Sequence, residues 1–284
     1  MTSNEFFNFK IIFIIIISTR KWYICEAGLR ILGGRNALKN EFPFAVRLEE
    51  QYTETTNGVT QVTYRQFCTG AALTSTWILT AAHCSDDNLS KYDGFLITTK
   101  ATMFARYNSH FPKDLGHLSP ITNVITYPGY FHFQYAMKYD ISLFQTENVV
   151  VSEYGRISAI DYTTLVGHEA VVLGFGGTNA TPEEKPLQVL KGMLTKCDEK
   201  EGRLRGFLCI VPRCGLEATV CGGDSGGPVV HATGIIGVTS VSRGDCNEFS
   251  HELYPGYAAD AVSAISPFID WISNIIADKV VEKS

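Results

Sequence analysis

Antiparallel β-structure, folded as barrels or sandwiches and joined by one C-terminal helix, is the architecture this sequence predicts. Three observations predict it. From Ile31 onward, short apolar or β-branched runs alternate with turn residues, a rhythm that suits antiparallel strands rather than strand–helix–strand units. A helical apolar period stands out only near the C-terminus. The 25 glycines and 10 prolines are scattered, and no repeat of fixed period occurs, which argues against solenoids and propellers.

The elements follow in chain order. Ile11 to Ile17 form an apolar run behind Lys10 and the aromatic residues Phe6, Phe7 and Phe9. It is too short for a bilayer span, which takes roughly 20 apolar residues, but it suits the core of a secretory signal. Arg20 and Lys21 interrupt the pattern, so an uncleaved anchor or a buried strand is the competing reading. With Cys25 and Ala27 in the small-residue positions, cleavage after Ala27 makes residues 1–27 the signal peptide. Strands are expected at Phe44–Leu48, Gln61–Phe67, Trp77–Ala82, Gly94–Thr99, Ala170–Phe175, Phe207–Pro212 and Gly234–Val241. At the end, Ser266 can cap a helix and Pro267 suits its first position. Phe268, Trp271, Ile272, Ile275 and Ile276 then recur at helical spacing, and the tail from Asp278 to Ser284 should fray.

Composition bounds the function. Of 284 residues, 45% are apolar and 19% charged, so the chain can bury enough surface to offset its conformational entropy. The net charge of −5 supplies no positive field for nucleic acid or an anionic membrane. Eight cysteines exceed the usual cytosolic count, and a secreted chain could pair them. Secretion would also make Asn88 and Asn179 glycosylation candidates, the second weakened by Pro182.

Three stretches carry chemistry. In Gly222-Gly223-Asp224-Ser225-Gly226-Gly227-Pro228, the glycines admit backbone conformations closed to other residues and let amide N–H groups face an open site. Ser225 is therefore a candidate nucleophile, although a hydroxyl needs a base and such a stretch alone is more often only a turn. Trp77-Ile78-Leu79-Thr80-Ala81-Ala82-His83-Cys84 offers a base in His83, where a lone histidine would ordinarily be a satisfied core residue. Tyr139-Asp140-Ile141-Ser142-Leu143-Phe144 sets Asp140 before an alternating apolar strand, the usual place of a turn carboxylate.

Together these stretches resemble the chymotrypsin/trypsin family of serine peptidases. Gly223 to Pro228 matches the family motif residue for residue, the likeness runs from Ile31 to about Ile276, and the order His83, Asp140, Ser225 is the family's. The resemblance implies an all-β fold of two six-stranded antiparallel β-barrels with a C-terminal α-helix, the boundary falling near residues 145–160. It implies a secreted serine endopeptidase that hydrolyses peptide bonds through an acyl-enzyme. Ser225 attacks, His83 takes the proton, and Asp140 holds the imidazole tautomer. The N–H groups of Gly223 and Ser225 form the oxyanion hole.

The same likeness makes Arg30-Ile31-Leu32-Gly33-Gly34 an activation site, with residues 28–30 as propeptide and 31–284 as the peptidase domain. Cleavage after Arg30 by another protease would free the Ile31 ammonium to pair with Asp224. Disulfides are implied for Cys68 with Cys84, Cys197 with Cys209 and Cys221 with Cys246, while Cys25 and Cys214 are left over. Closing the loop between Cys68 and Cys84 would stabilise by roughly 3 kcal/mol. The cysteines lack the paired spacing of a zinc site, the family's calcium-loop acids are missing, and no metal or other cofactor is expected.

Departures from the family pattern fall in the primary specificity pocket. Thr219 stands at its floor where trypsin-like members carry aspartate, and Val220 adds apolar surface. Ser240, Val241 and Ser242 replace a usual Ser-Trp-Gly, and Gly256 is expected to keep the opposite wall open. The expected preference is for apolar side chains of modest to medium size before the cut. Expected partners are protein or peptide substrates, the activating protease and protein protease inhibitors. A monomer is expected, with no nucleic acid and no stable membrane association. The alternative is a catalytically weak or silent homologue acting as a binding or regulatory protein.

Overall fold

Described in the computed structural model are residues 34–56, 59–85, 102–110, 114–133, 136–176, 186–197, 207–212, 219–241 and 260–281. Within them the chain forms β1 (Arg35–Asn36), β2 (Ala45–Thr56), β3 (Val59–Ala72), β4 (Trp77–Thr80), β5 (Met103–Tyr107), β6 (His117–Thr126), β7 (Phe131–Phe133), β8 (Ala136–Lys138) and β9 (Ser142–Thr146). There follow β10 (Glu169–Gly174), β11 (Gln188–Lys196), β12 (Phe207–Pro212), β13 (Pro228–His231), β14 (Gly234–Val241), β15 (Asp260–Ala264) and the helix α1 (Ile269–Val281).

Two closed six-stranded antiparallel barrels result. The first runs β2-β3-β4-β9-β6-β5. The second runs β11-β10-β13-β14-β15-β12 and closes because β12 pairs back onto β11, with β1 added outside β11 at Arg35↔Val189. Closure removes the unpaired edges that an open sheet would present.

Alternation along the strands fills each barrel. In β11, Leu190 and Leu194 point into the second core while Lys191 and Met193 face outward, and Val172, Ile210, Val229 and Val262 join the two leucines there. Val46, Leu48, Ile78, Ala105 and Phe144 fill the first. A further cluster joins Leu79 and Leu143 of the first barrel, Ile235 and Val238 of the second, and Phe268 and Ile272 beside them. The C-terminal helix thus rests across the seam and helps hold the two barrels in one relative position.

Three local expectations are revised. The hairpin of β2 and β3 is far longer than the apolar alternation suggests, with strands of 12 and 14 residues, because much of its length is solvent-facing and polar. Ser266 does not cap the helix. It lies in a 3-10 turn, Ser266–Phe268, that leads into α1, and its hydroxyl instead accepts the Tyr162 N–H at 3.1 Å. The helix continues through Asp278 to Val281, since no glycine or proline follows Ile276 to stop it. The expected strand Gly94–Thr99, the signal residues, Asn88 and Asn179 lie outside the described residues.

Candidate active site

β4 ends at Thr80 and passes into a 3-10 turn, Ala82–Ser85, that carries His83. The disulfide Cys68–Cys84, with an S–S distance of 2.01 Å, ties this turn to β3. Asp140 enters from the segment before β9, immediately after Tyr139, whose φ of +54° is rare for a residue with a side chain. The Tyr139 ring packs edge-on against Tyr127 and Phe268, which supports that conformation.

Asp140 clasps His83 at two points. Its Oδ1 accepts the His83 backbone N–H at 2.9 Å, and its Oδ2 lies 2.8 Å from His83 Nδ1. The carboxylate is fully buried, and the Ser240 hydroxyl of β14 donates to Oδ2 as well. Burial alone would raise the Asp140 carboxyl, but the charge and hydrogen bonds of His83, together with the Ser240 hydroxyl, hold it below the usual carboxylate range. Asp140 is therefore anionic at neutral pH, and Nδ1 is the ring nitrogen placed to carry a proton. Ser240, read from the sequence as a pocket residue, directs its hydroxyl to this carboxylate and so links the second barrel to the first.

Ser225 sits in a turn between Gly223, at φ +94°, and Gly226, at φ +76°. Both barrels hold this turn: the Ser225 carbonyl accepts from Thr69 N–H of β3 at 2.8 Å, and Gly226 N–H donates to the Thr239 carbonyl of β14 at 2.7 Å. A Cβ on Gly226 would lie 2.0 Å from Thr80 Oγ1 and 2.9 Å from the Ala81 nitrogen. The Ser225 turn therefore abuts the strand end that delivers His83, and only glycine permits so close an approach.

The Gly223 peptide is clamped by side chains that the sequence reading passed over. Gln66 Nε2 and Thr69 Oγ1 both donate to the Gly223 carbonyl, at 3.0 and 2.7 Å, and Thr69 Oγ1 accepts from Phe175 N–H at 3.2 Å. Nothing local in the sequence marks Thr69, since its partners are more than 100 residues away. Asp224 is fully buried. Its Oδ1 accepts from Gly176 N–H at 2.6 Å and its Oδ2 from Cys221 N–H at 2.8 Å.

Thr219 and Val220, expected from the sequence to line the specificity pocket, are buried side by side. The structure places a carboxylate against them: Asp260 of β15 accepts from Thr219 Oγ1 at 2.9 Å and from Val220 N–H at 3.1 Å. The sequence carried a signal for it, one acid followed by the small apolar residues Ala261 and Val262, which lie in a buried strand. Val241 ends β14, whereas Ser242, Gly256, Cys246, Arg30 and Ile31 lie outside the described residues.

The second disulfide, Cys197–Cys209, joins the segment after β11 to β12, and Cys221 is also disulfide-bonded. Cys68, Cys84 and His83 lie close together, but both sulfurs are committed to a disulfide and cannot act as thiolate ligands. Among the described residues no helix is long and apolar enough to cross a membrane.

The Trypsin family profile matches residues 31–272. Serine protease SP24D of Anopheles gambiae is 28% identical over 251 residues, covering 86% of this chain and 80% of that protein. Granzyme M of Rattus norvegicus is 25% identical over 262 residues, covering 87% and 89%. Among solved structures, neuropsin, a serine protease expressed in mouse brain, aligns with a TM-score of 0.63 at 21% identity over 86% of this chain and 98% of its own. An inactivated protease paralogue of the scabies mite aligns with a TM-score of 0.60 at 19% identity, over 86% and 99%. At those identities the two structures speak for the fold alone.

Proposed function

This chain belongs to the trypsin family of serine endopeptidases, and from that premise we propose that it is a secreted enzyme, made as a zymogen, whose acyl-enzyme forms on Ser225. The observation that carries the reading is the two-point clasp of buried Asp140 on His83, beside a serine turn held by both barrels. Asp140 keeps the Nδ1 proton, so Nε2 of a neutral His83 accepts the proton of the Ser225 hydroxyl as the oxygen attacks the peptide carbonyl. The carbonyl π electrons move onto oxygen, where Gly223 and Ser225 N–H groups stabilise them. His83 then gives its proton to the leaving amine, and water repeats the sequence to release the acyl group. Cleavage after Arg30 would supply the Ile31 ammonium as a counter-charge for Asp224, whose burial makes such a partner favourable.

A fluorophosphonate probe tests the reading. Protein cut after Arg30 should be labelled on Ser225, as located by peptide mapping. Absence of labelling after confirmed cleavage would favour the silent homologue that binds without catalysis.

For the residue before the cut, Thr219 and Val220 offer an uncharged lining, which supports apolar side chains of modest to medium size. The buried Asp260 favours a second reading, in which its charge draws lysine or arginine toward the same pocket. Peptide-library cleavage by the wild type and Asp260→Asn separates them. An apolar pocket predicts cleavage after apolar residues, with that ranking kept in the variant. A charge-reading pocket predicts cleavage after lysine or arginine that the variant loses by about 10-fold or more, the size expected when a paired charge is removed.

A further inference from the structure

We propose that His168 and His231 form a surface site for a tetrahedral divalent cation of the zinc class, on the second barrel and apart from the triad. His168 immediately precedes β10 and His231 ends β13, two strands paired through Val171↔Val230 and Val172↔Val229. The pairing brings His168 Nδ1 to 3.3 Å from His231 Nε2, with ring centroids 5.3 Å apart and the rings inclined at 52°. Two zinc–nitrogen bonds of about 2.05 Å at the tetrahedral angle place their nitrogens about 3.3 Å apart. A square-planar ion with bonds of about 2.0 Å would need about 2.8 Å, so the existing separation fits the tetrahedral ion with less movement.

The His168 backbone and the His231 ring are both held. The His168 backbone donates to the Leu165 carbonyl at 3.0 Å and accepts from Leu194 N–H at 2.9 Å. His231 is anchored by the tight turn to Gly234, with Thr233 Oγ1 2.9 Å from Nδ1 and Ser158 Oγ 2.7 Å beyond that hydroxyl. Metal-bound histidines are commonly oriented by such an acceptor on the second nitrogen. Without metal, Thr233 N–H faces Nδ1 at 3.3 Å, and the ring proton sits on Nε2, toward His168. On binding, the ring changes tautomer, so that Nδ1 carries the proton and donates a hydrogen bond to Thr233 Oγ1, whose hydroxyl turns to donate to Ser158 Oγ. The Nε2 lone pair of His231 and the Nδ1 lone pair of His168 then form the two coordinate bonds, and both rings remain neutral. His168 is exposed, leaving the remaining coordination positions open to water.

Calorimetric titration of the full chain with zinc chloride tests the site. Expected is saturable binding of one zinc that disappears in His168→Ala and in His231→Ala, and that weakens about tenfold in Thr233→Val, where only the orienting hydroxyl is lost. Fluorophosphonate labelling of each variant after activation checks that it is folded. No saturable binding in the wild type, or unchanged binding in folded His231→Ala, would overturn the proposal.

Discussion

Ser225→Ala is expected to lower kcat by about 10^6, and Asp140→Asn by about 10^4, with KM for a peptide substrate changed far less. The ranking follows from what each residue does. Without Ser225 there is no acyl-enzyme. In Asp140→Asn the charge is gone, and the asparagine amide can donate to Nδ1 and favour the wrong imidazole tautomer. The double variant should be no slower than Ser225→Ala, because the groups act as one unit. In the wild type, activity should fall as the pH drops through roughly 6 to 7, where an ordinary imidazole gains its second proton. The Asp140 charge favours that protonated form, so residual activity of Asp140→Asn should persist to lower pH. Kinetics of the activated protein from pH 5 to 10 check both statements, and an Asp140→Asn variant within tenfold of wild type would refute the assignment. The depressed Asp140 carboxyl also sets a sign for stability. Its contribution is present above the ordinary carboxylate value near 3.9 and is lost as the pH falls through its lower folded value.

Gly226→Ala is expected to cost at least about 10^2 in kcat/KM and about 3 kcal/mol in stability, although no chemical group is removed. The added methyl would sit 2.0 Å from Thr80 Oγ1 and 2.5 Å from the Thr69 carbonyl, on a backbone with φ +76°. Those two atoms are joined by a 2.9 Å hydrogen bond, so the methyl must displace the contact between β3 and β4 or move the Ser225 turn. Either shift displaces the Ser225 turn relative to the strand end that carries His83. Thermal unfolding and probe-labelling rates measure the two effects, and normal values for both would mean that the turn is looser than its contacts imply.

His83, Asp140 and Ser225 stood out because each sits in a local stretch whose pattern is specific and whose residue type suits the proposed chemistry. His83 follows an apolar strand, Asp140 precedes one, and Ser225 lies among glycines that a sharp turn needs. The barrel strands were legible where a run of apolar residues is buried, as in β4 and β14. The outer half of the β2–β3 hairpin was not, because backbone pairing there proceeds without an apolar face to announce it. Ser266 was misread as a cap for a related reason: the amide that its hydroxyl meets belongs to Tyr162, 104 residues away.

The sequence by itself determined the family, the antiparallel class, the order of the chemical groups and the Cys68–Cys84 and Cys197–Cys209 pairs, all of which rest on short motifs and the family likeness they carry. Tertiary structure alone decided which polar side chains complete the site. Ser240 reaches Asp140, Thr69 and Gln66 reach Gly223, and Asp260 reaches Thr219. The pairing of β10 with β13 also set His168 beside His231. Each of these contacts joins segments far apart in the chain. A buried or paired polar group takes whatever partner the folded backbone brings within about 3 Å, and that partner has no fixed offset along the sequence.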